Sequence, residues 1–169
     1  MYLVTGGSGF IGSNLINLLL NKDKNRIIAI DWEDRKRDNY FLNNNFDIIK
    51  PTKIKSFLKE NEKKIKVIIH LGAITSTTEK NTGLIIENNV RLTLYLWKWC
   101  LLKKKRFIYA SSAATYGNGK NGFSDNSSDD NLSNLLPLNL YGWSKHILDR
   151  FIWSDEQQKK SIKQCVGLK

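Results

Sequence analysis

The segment Gly6-Gly7-Ser8-Gly9-Phe10-Ile11-Gly12 constrains the fold of this chain more than any other part of it. It follows directly on a short apolar run, Tyr2–Thr5, and opens an amphipathic stretch, Phe10–Asn21. Strand, glycine turn and helix in that order begin a βαβ unit. Read as Gly6-x-x-Gly9-x-x-Gly12, each glycine has its own task. The first makes a tight turn, the middle one lets the backbone approach a pyrophosphate, and the third lets the helix pack closely on the strand. The anion would then sit at a helix N-terminus, where N–H groups and the dipole favour negative charge. Phe10 and Ile11 lie in that first turn and are expected to contact the same ligand.

The rest of the chain repeats the alternation. Further strand candidates are Arg26–Asp31, Lys66–Leu71 and Arg106–Ala110, with a weaker one at Phe46–Ile49 and another starting at Lys163–Leu168. They are short and rich in Ile and Val, as buried parallel strands are. Helix candidates lie between them at Lys53–Lys63, Leu84–Lys103 and Tyr141–Gln158. In Leu84–Lys103, Leu92, Tyr95, Leu96, Trp99 and Leu102 recur at spacings of three and four and predict one buried face. This pattern predicts an α/β fold: a Rossmann-like, doubly wound parallel sheet with helices on both faces. Asn118–Leu136, rich in Gly, Asn, Ser and Asp, reads as a long surface loop. The sequence stops just inside an apolar run. We therefore expect residues 1–169 to be one incomplete nucleotide-binding domain, truncated before a C-terminal substrate domain and inactive alone.

Asp31 closes the second strand candidate about 20 residues beyond Gly12, where an acidic residue bonds the adenosine ribose of a dinucleotide. Trp32 stands beside it. Arg35, Lys36 and Arg37 follow, and a basic residue such as Lys36 can meet a 2′-phosphate. Asp31 thus speaks for NAD and the basic cluster for NADP, and these residues leave both open.

The net charge of +11 invites a nucleic-acid reading. The basic residues are scattered in small clusters, however. Asp125 to Asp130 is acidic, and no nucleic-acid motif is present. Binding to a duplex should be no more than weak and salt-dependent. No apolar run approaches the roughly 18 residues of a membrane span, and the N-terminus has no signal-peptide pattern, so a cytoplasmic protein without a membrane partner is expected. Cys100 and Cys165 fit neither metal nor disulfide spacing and read as buried or half-buried free thiols.

Two further elements supply chemistry. Tyr141-Gly142-Trp143-Ser144-Lys145 puts a phenol and an ammonium one helical turn apart, on one face. A free tyrosine titrates near pH 10. A neighbouring ammonium and a positive nicotinamide ring favour its phenolate, which makes Tyr141 a usable general base. Lys145 would also hold the nicotinamide ribose. Ser111-Ser112-Ala113-Ala114-Thr115-Tyr116-Gly117 follows the strand Arg106–Ala110. Ligands of parallel sheets bind beyond such strand ends. Ser112 is therefore suited to hydrogen-bond a reacting hydroxyl or carbonyl.

Together the glycine loop, the serine segment and the Tyr-x-x-x-Lys motif resemble the extended short-chain dehydrogenase/reductase family, also described as NAD-dependent epimerases and dehydratases. His70-Leu71-Gly72-Ala73 and Asn88-Asn89-Val90 agree with it. The resemblance implies that Ser112, Tyr141 and Lys145 are catalytic. It implies cofactor contacts at Gly6, Gly9, Phe10, Ile11, Gly12, Asp31 and Trp32, then Lys36, Leu71, Gly72, Ala73, Thr75 and Asn88, together with Tyr141 and Lys145. It is thinnest over residues 32 to 65.

Gly72-Ala73-Ile74-Thr75-Ser76-Thr77-Thr78-Glu79, with Tyr109 to Gly117 and Leu138 to Lys145, narrows the resemblance to the ADP-heptose 6-epimerase family. That family favours NADP, which implies NADP here, with NAD possible. Tyr141 would take a proton from a heptose hydroxyl as hydride leaves carbon 6 for NADP+. The ketone would turn over and receive hydride on its other face, so that an ADP-sugar is epimerised without net oxidation, in lipopolysaccharide core precursor synthesis. The family's second acid/base, a lysine, would follow position 169. A homo-oligomer at full length is also implied. The alternative within this fold is a nucleotide-sugar epimerase acting at carbon 4. A 4,6-dehydratase would carry an Asp-Glu pair where Ala113-Ala114-Thr115 offers no acid. A cofactor sensor without catalysis would lack the serine or the tyrosine.

Overall fold

The computed structural model describes residues 1–22, 24–32, 46–126, 128–157 and 164–169. Six strands pair in parallel: β1 Tyr2–Thr5, β2 Ile27–Ile30, β3 Asp47–Ile49, β4 Val67–His70, β5 Arg106–Ala110 and β6 Gln164–Leu168. Their order is β3-β2-β1-β4-β5-β6. The order reverses between β1 and β4, and ligands of open parallel sheets bind at such a switch point. Register aligns the ends of these strands, since Thr5 stands opposite both Ile30 and His70. Gly6, Asp31 and Leu71 therefore leave the sheet side by side.

Alternation along each strand separates two cores. α1 Phe10–Lys22 buries Ile16 against Val4, Ala29 and Ile69 on one face. On the other face lie α2 Ile54–Asn61, then α3 Thr82–Ile85, a π-helical turn Ile86–Arg91 and α4 Leu92–Leu102 in unbroken succession, and finally α6 Leu140–Gln157. Leu58, Leu96, Trp97 and Ile152 from these helices pack around Leu3, Ile28, Ile68 and Phe107. Each such side chain contributes about 1.5–3 kcal/mol when fully buried. The expected doubly wound α/β fold is the observed one. Cys100 is buried and Cys165 half-buried.

Three expectations are corrected. Leu84–Lys103 is not one regular helix: a π turn interrupts it at Asn89, whose side chain is used elsewhere. Its buried face also differs, because Leu102 is 78% exposed whereas Trp97 and Cys100 are fully buried. Trp97 packs on Phe107 of β5, and its Nε1–H donates to Asp155 of α6 at 3.1 Å, so α4 is covered from two sides. A one-stripe pattern cannot describe such a helix. The stretch 118–136 contains α5 Asp129–Ser133, where the Ser128 hydroxyl caps by accepting from Asn131 N–H. Asp129 and Asp130 sit in its first turn, the favourable end of the helix dipole. Lys163 and Gln158 lie outside the described residues.

Candidate active site

The glycine turn is shaped by backbone crowding. Gly6 has φ +69°, and a Cβ there would lie 2.7 Å from Gly72 N, so both conformation and space require glycine. A Cβ on Gly12 would come within 2.2 Å of the Gly6 carbonyl oxygen. Gly9 differs. Its absent Cβ would meet only that same oxygen, at 3.2 Å, and otherwise faces open space. Gly9 O accepts from Ser13 N–H at 2.9 Å, so Gly9 caps α1, whose first N–H groups have no partner within the helix.

A cavity of about 400 Å³ opens in front of this turn. Its walls include Gly6, Gly9, Phe10, Ile11 and Gly12 from the first βα turn, and Asp31 and Trp32 from the second. Leu71, Gly72, Ala73 and Thr75 follow β4, and Asn88 comes from the π turn. Phe10, Ile11 and Trp32 are 78%, 65% and 50% exposed and form an apolar lip on the cleft. Asp31 is buried. Its Oδ2 accepts from Ser8 N–H and its Oδ1 from Trp32 N–H, both at 2.9 Å, which fixes the carboxylate at the cavity wall with lone pairs to spare. Lys36 lies outside the described residues, as do Arg35 and Arg37.

Beyond the Ala110 end of the cavity, α6 is locked onto β5. The Asn139 side chain caps α6 by accepting from Gly142 N–H at 2.8 Å. A Cβ on Gly142 would lie 2.8 Å from Ala114 O, so only glycine lets the helix approach the serine segment this closely. Lys145 is buried and donates from Nζ to Ala110 O at 2.8 Å. Burial pulls its ammonium down to about 8, against the opposing pull of the Asp149 carboxylate. Nζ stands 6.0 Å from the centre of the Tyr141 ring, one turn earlier. Asp149, one turn later, accepts from Tyr109 Oη at 2.8 Å and Ser111 Oγ at 2.6 Å. Burial pushes its carboxyl up, while these two hydrogen bonds hold it back. Ser112 Oγ accepts from Ala114 N–H at 3.1 Å and so starts the short 3₁₀ turn Ala113–Tyr116.

Twelve of the residues expected to contact a cofactor thus share one cavity. Ser112, Tyr141 and Lys145 do not line it; they gather on its Ala110 side. Thr5, Ile30, Pro51, Ile74, Leu92 and Ala110 also line the cavity without having been singled out. The strand-end rule applied to every strand would have found Thr5, Ile30, Pro51 and Ala110, which end or follow strands. Ile74 and Leu92 carry no comparable signal. Asp149 was missed as well, although it lies one helical turn beyond Lys145 on the same face.

The sequence model of the NAD dependent epimerase/dehydratase family matches residues 2–167. The ADP-L-glycero-D-manno-heptose-6-epimerase of Fusobacterium nucleatum is 39% identical over 100% of this chain and 51% of its own length. The enzyme of that name from Brachyspira hyodysenteriae is 35% identical over 100% and 53%. The chain spans about half the length of these curated relatives. Among solved structures, Helicobacter pylori ADP-L-glycero-D-manno-heptose-6-epimerase superposes with a TM-score of 0.74 at 27% identity, covering 99% of this chain and 54% of that one. UDP-N-acetylglucosamine 4-epimerase from Methanobrevibacter ruminantium gives 0.79 at 26%, covering 99% and 53%. On the family match, which takes in nearly all of its residues, the chain belongs to the NAD-dependent epimerase/dehydratase family.

Proposed function

We propose that residues 1–169 form the NAD(P)-binding Rossmann domain of a nucleotide-sugar epimerase that converts ADP-D-glycero-D-manno-heptose to ADP-L-glycero-D-manno-heptose. The observation that carries this reading is 39% identity to a heptose 6-epimerase along the whole chain. A dinucleotide suits the cleft. Gly9 leaves its Cβ space open at a helix N-terminus, the Asp31 carboxylate is held beside the cavity, and an apolar lip awaits a flat partner. Asp31 would accept from a ribose hydroxyl. The preference for NADP rests on the resemblance and on Lys36, whereas Asp31 is the feature that speaks for NAD.

A bound nicotinamide would supply reversible hydride transfer at carbon 6 of the sugar. Tyr141 would take and return the hydroxyl proton, Lys145 would favour its phenolate and bond the ribose, and Ser112 would hold the reacting oxygen. To reach a ribose, the Lys145 ammonium must share or leave its bond to Ala110 O. The cytoplasm, a homo-oligomer and lipopolysaccharide precursor synthesis go with this reading. A second reading, epimerisation at carbon 4, draws on the likeness to the Methanobrevibacter enzyme.

The decisive experiment assays ADP-heptose conversion in a protein extended to the relatives' length. Tyr141→Phe is expected to lower turnover by about 10³-fold while leaving NADP+ affinity nearly unchanged. Loss of binding instead would make Tyr141 structural, and product inverted at carbon 4 would favour the second reading. The 169-residue chain alone is expected to bind NADP+ without turnover.

A further inference from the structure

Between the two walls of the cleft runs a buried chain of hydrogen bonds that the proposed chemistry leaves unused. Gly72 N–H donates to Thr5 Oγ1 at 3.0 Å, and Thr5 Oγ1 lies 2.6 Å from His70 Nδ1. On the other side of the ring, His70 Nε2 lies 2.8 Å from Thr93 Oγ1, which donates to the Asn89 carbonyl at 2.5 Å. Thr5, His70, Asn89 and Thr93 are all buried to 3% exposure or less. The direction of every bond follows from the last one. A carbonyl only accepts, so the Thr93 proton points at Asn89 O, and His70 Nε2 must then carry the hydrogen that Thr93 receives. Burial, reinforced by the Lys145 charge, pulls the His70 imidazole down to about 3 and keeps it neutral. Nδ1 is therefore bare and accepts from the Thr5 hydroxyl.

Asn89 extends the line. Its amide donates to Ile74 O at 2.9 Å and to Ser144 Oγ at 3.1 Å and accepts from Ile74 N–H at 2.8 Å, which fixes the orientation of the amide. Ser144 in turn donates to Tyr141 O at 2.7 Å. Asn89 lies in the π turn, a feature frequent at functional sites.

We propose that His70 is a positioning residue: held as the neutral Nε2–H tautomer, it joins the glycine turn beside Thr5 to Asn89 and thereby to the Tyr141 helix, so that both walls of the cleft keep one register. The inference rests on the proposed function only in taking that cleft as a dinucleotide site. The bonds from Gly72 to the Asn89 carbonyl all point the same way, so each strengthens the next and breaking one weakens its neighbours, and the Asn89 side chain carries the mechanical link on to Ser144.

Nitrogen-15 NMR of the His70 ring in the chain without cofactor tests the tautomer directly. We expect a protonated Nε2 and a bare Nδ1, unchanged from pH 5 to pH 8. Thr93→Ser should preserve that signature. Thr93→Val, which removes the acceptor, should disturb it and weaken NADP+ binding about tenfold. Thr5→Val and Ser144→Ala are not neighbours, yet their effects on NADP+ affinity should be non-additive in the double variant. An Nδ1–H tautomer, an ordinary histidine titration within that pH range, or strict additivity would overturn the proposal. Failure of the wild type to bind any nicotinamide dinucleotide would instead refute the functional reading, and the ring signature would still decide the inference.

Discussion

The two sides of the cleft are built by different means. The β1–α1 turn is shaped almost wholly by backbone. Gly6 and Gly12 are glycine because main-chain atoms stand within 2.7 and 2.2 Å of where their Cβ atoms would be. The β5–α6 side is built from buried polar side chains: Lys145 on Ala110 O, Asp149 between Tyr109 and Ser111, and Asn89 on Ser144. The first side depends on shape, and at Gly6 and Gly12 it tolerates no added atoms. The second depends on charge and hydrogen-bond direction, and so responds to protonation. A site that must hold a polyanion yet move protons gains from this division. In the proposed reading, a rigid cradle would keep the ligand in place while the opposite wall changes charge state.

If the first side is steric, its glycines should separate into those that serve folding and one that serves the ligand. Gly12→Ala drives a Cβ into the Gly6 carbonyl and is expected to cost about 3 kcal/mol or more in urea unfolding. Gly9→Ala, whose Cβ meets only the Gly6 carbonyl oxygen at 3.2 Å, should cost under about 1 kcal/mol. Equal losses would show that the turn does not distinguish the two positions.

The electrostatic character of the second side is tested by pH. Lys145 titrates near 8 in the folded chain and at 10.5 when unfolded. Between these values the unfolded chain keeps a proton that the native chain has shed, so stability rises with pH across this window. The full gain is up to about 3 kcal/mol. Lys145→Met should lack that rise and should compare best with the wild type below pH 8, where the wild type must bury an ammonium. Parallel stability curves for the two proteins from pH 7 to pH 10.5 would contradict the account. Gly9→Ala, on the other wall, should run parallel to the wild type.

The same contrast explains what could be read from the sequence. Backbone crowding forces glycine at positions 6 and 12, and their spacing with Gly9 makes the turn legible, as buried Ile-rich strands make the sheet. The Tyr141–Lys145 pair was legible because helical periodicity sets its geometry. The line through Thr5, His70, Thr93 and Ser144 was not, since it joins residues far apart in sequence through ordinary hydrogen-bonding types. Nor was the π turn, within which Asn89 makes its long-range bond to Ile74. α5 escaped notice because five residues are too few for a periodic signal, although Ser128 followed by Asp129 and Asp130 was a legible start.

The central claim is that the glycine turn holds a nicotinamide dinucleotide. Calorimetric titration of the chain and of Gly9→Val with NADP+ and NAD+ tests it most directly, with circular dichroism as the check on folding. The wild type is expected to bind, and Gly9→Val to stay folded while binding at least about a hundredfold more weakly, because its side chain fills the space the pyrophosphate needs. Unchanged affinity in a folded Gly9→Val protein would contradict the account.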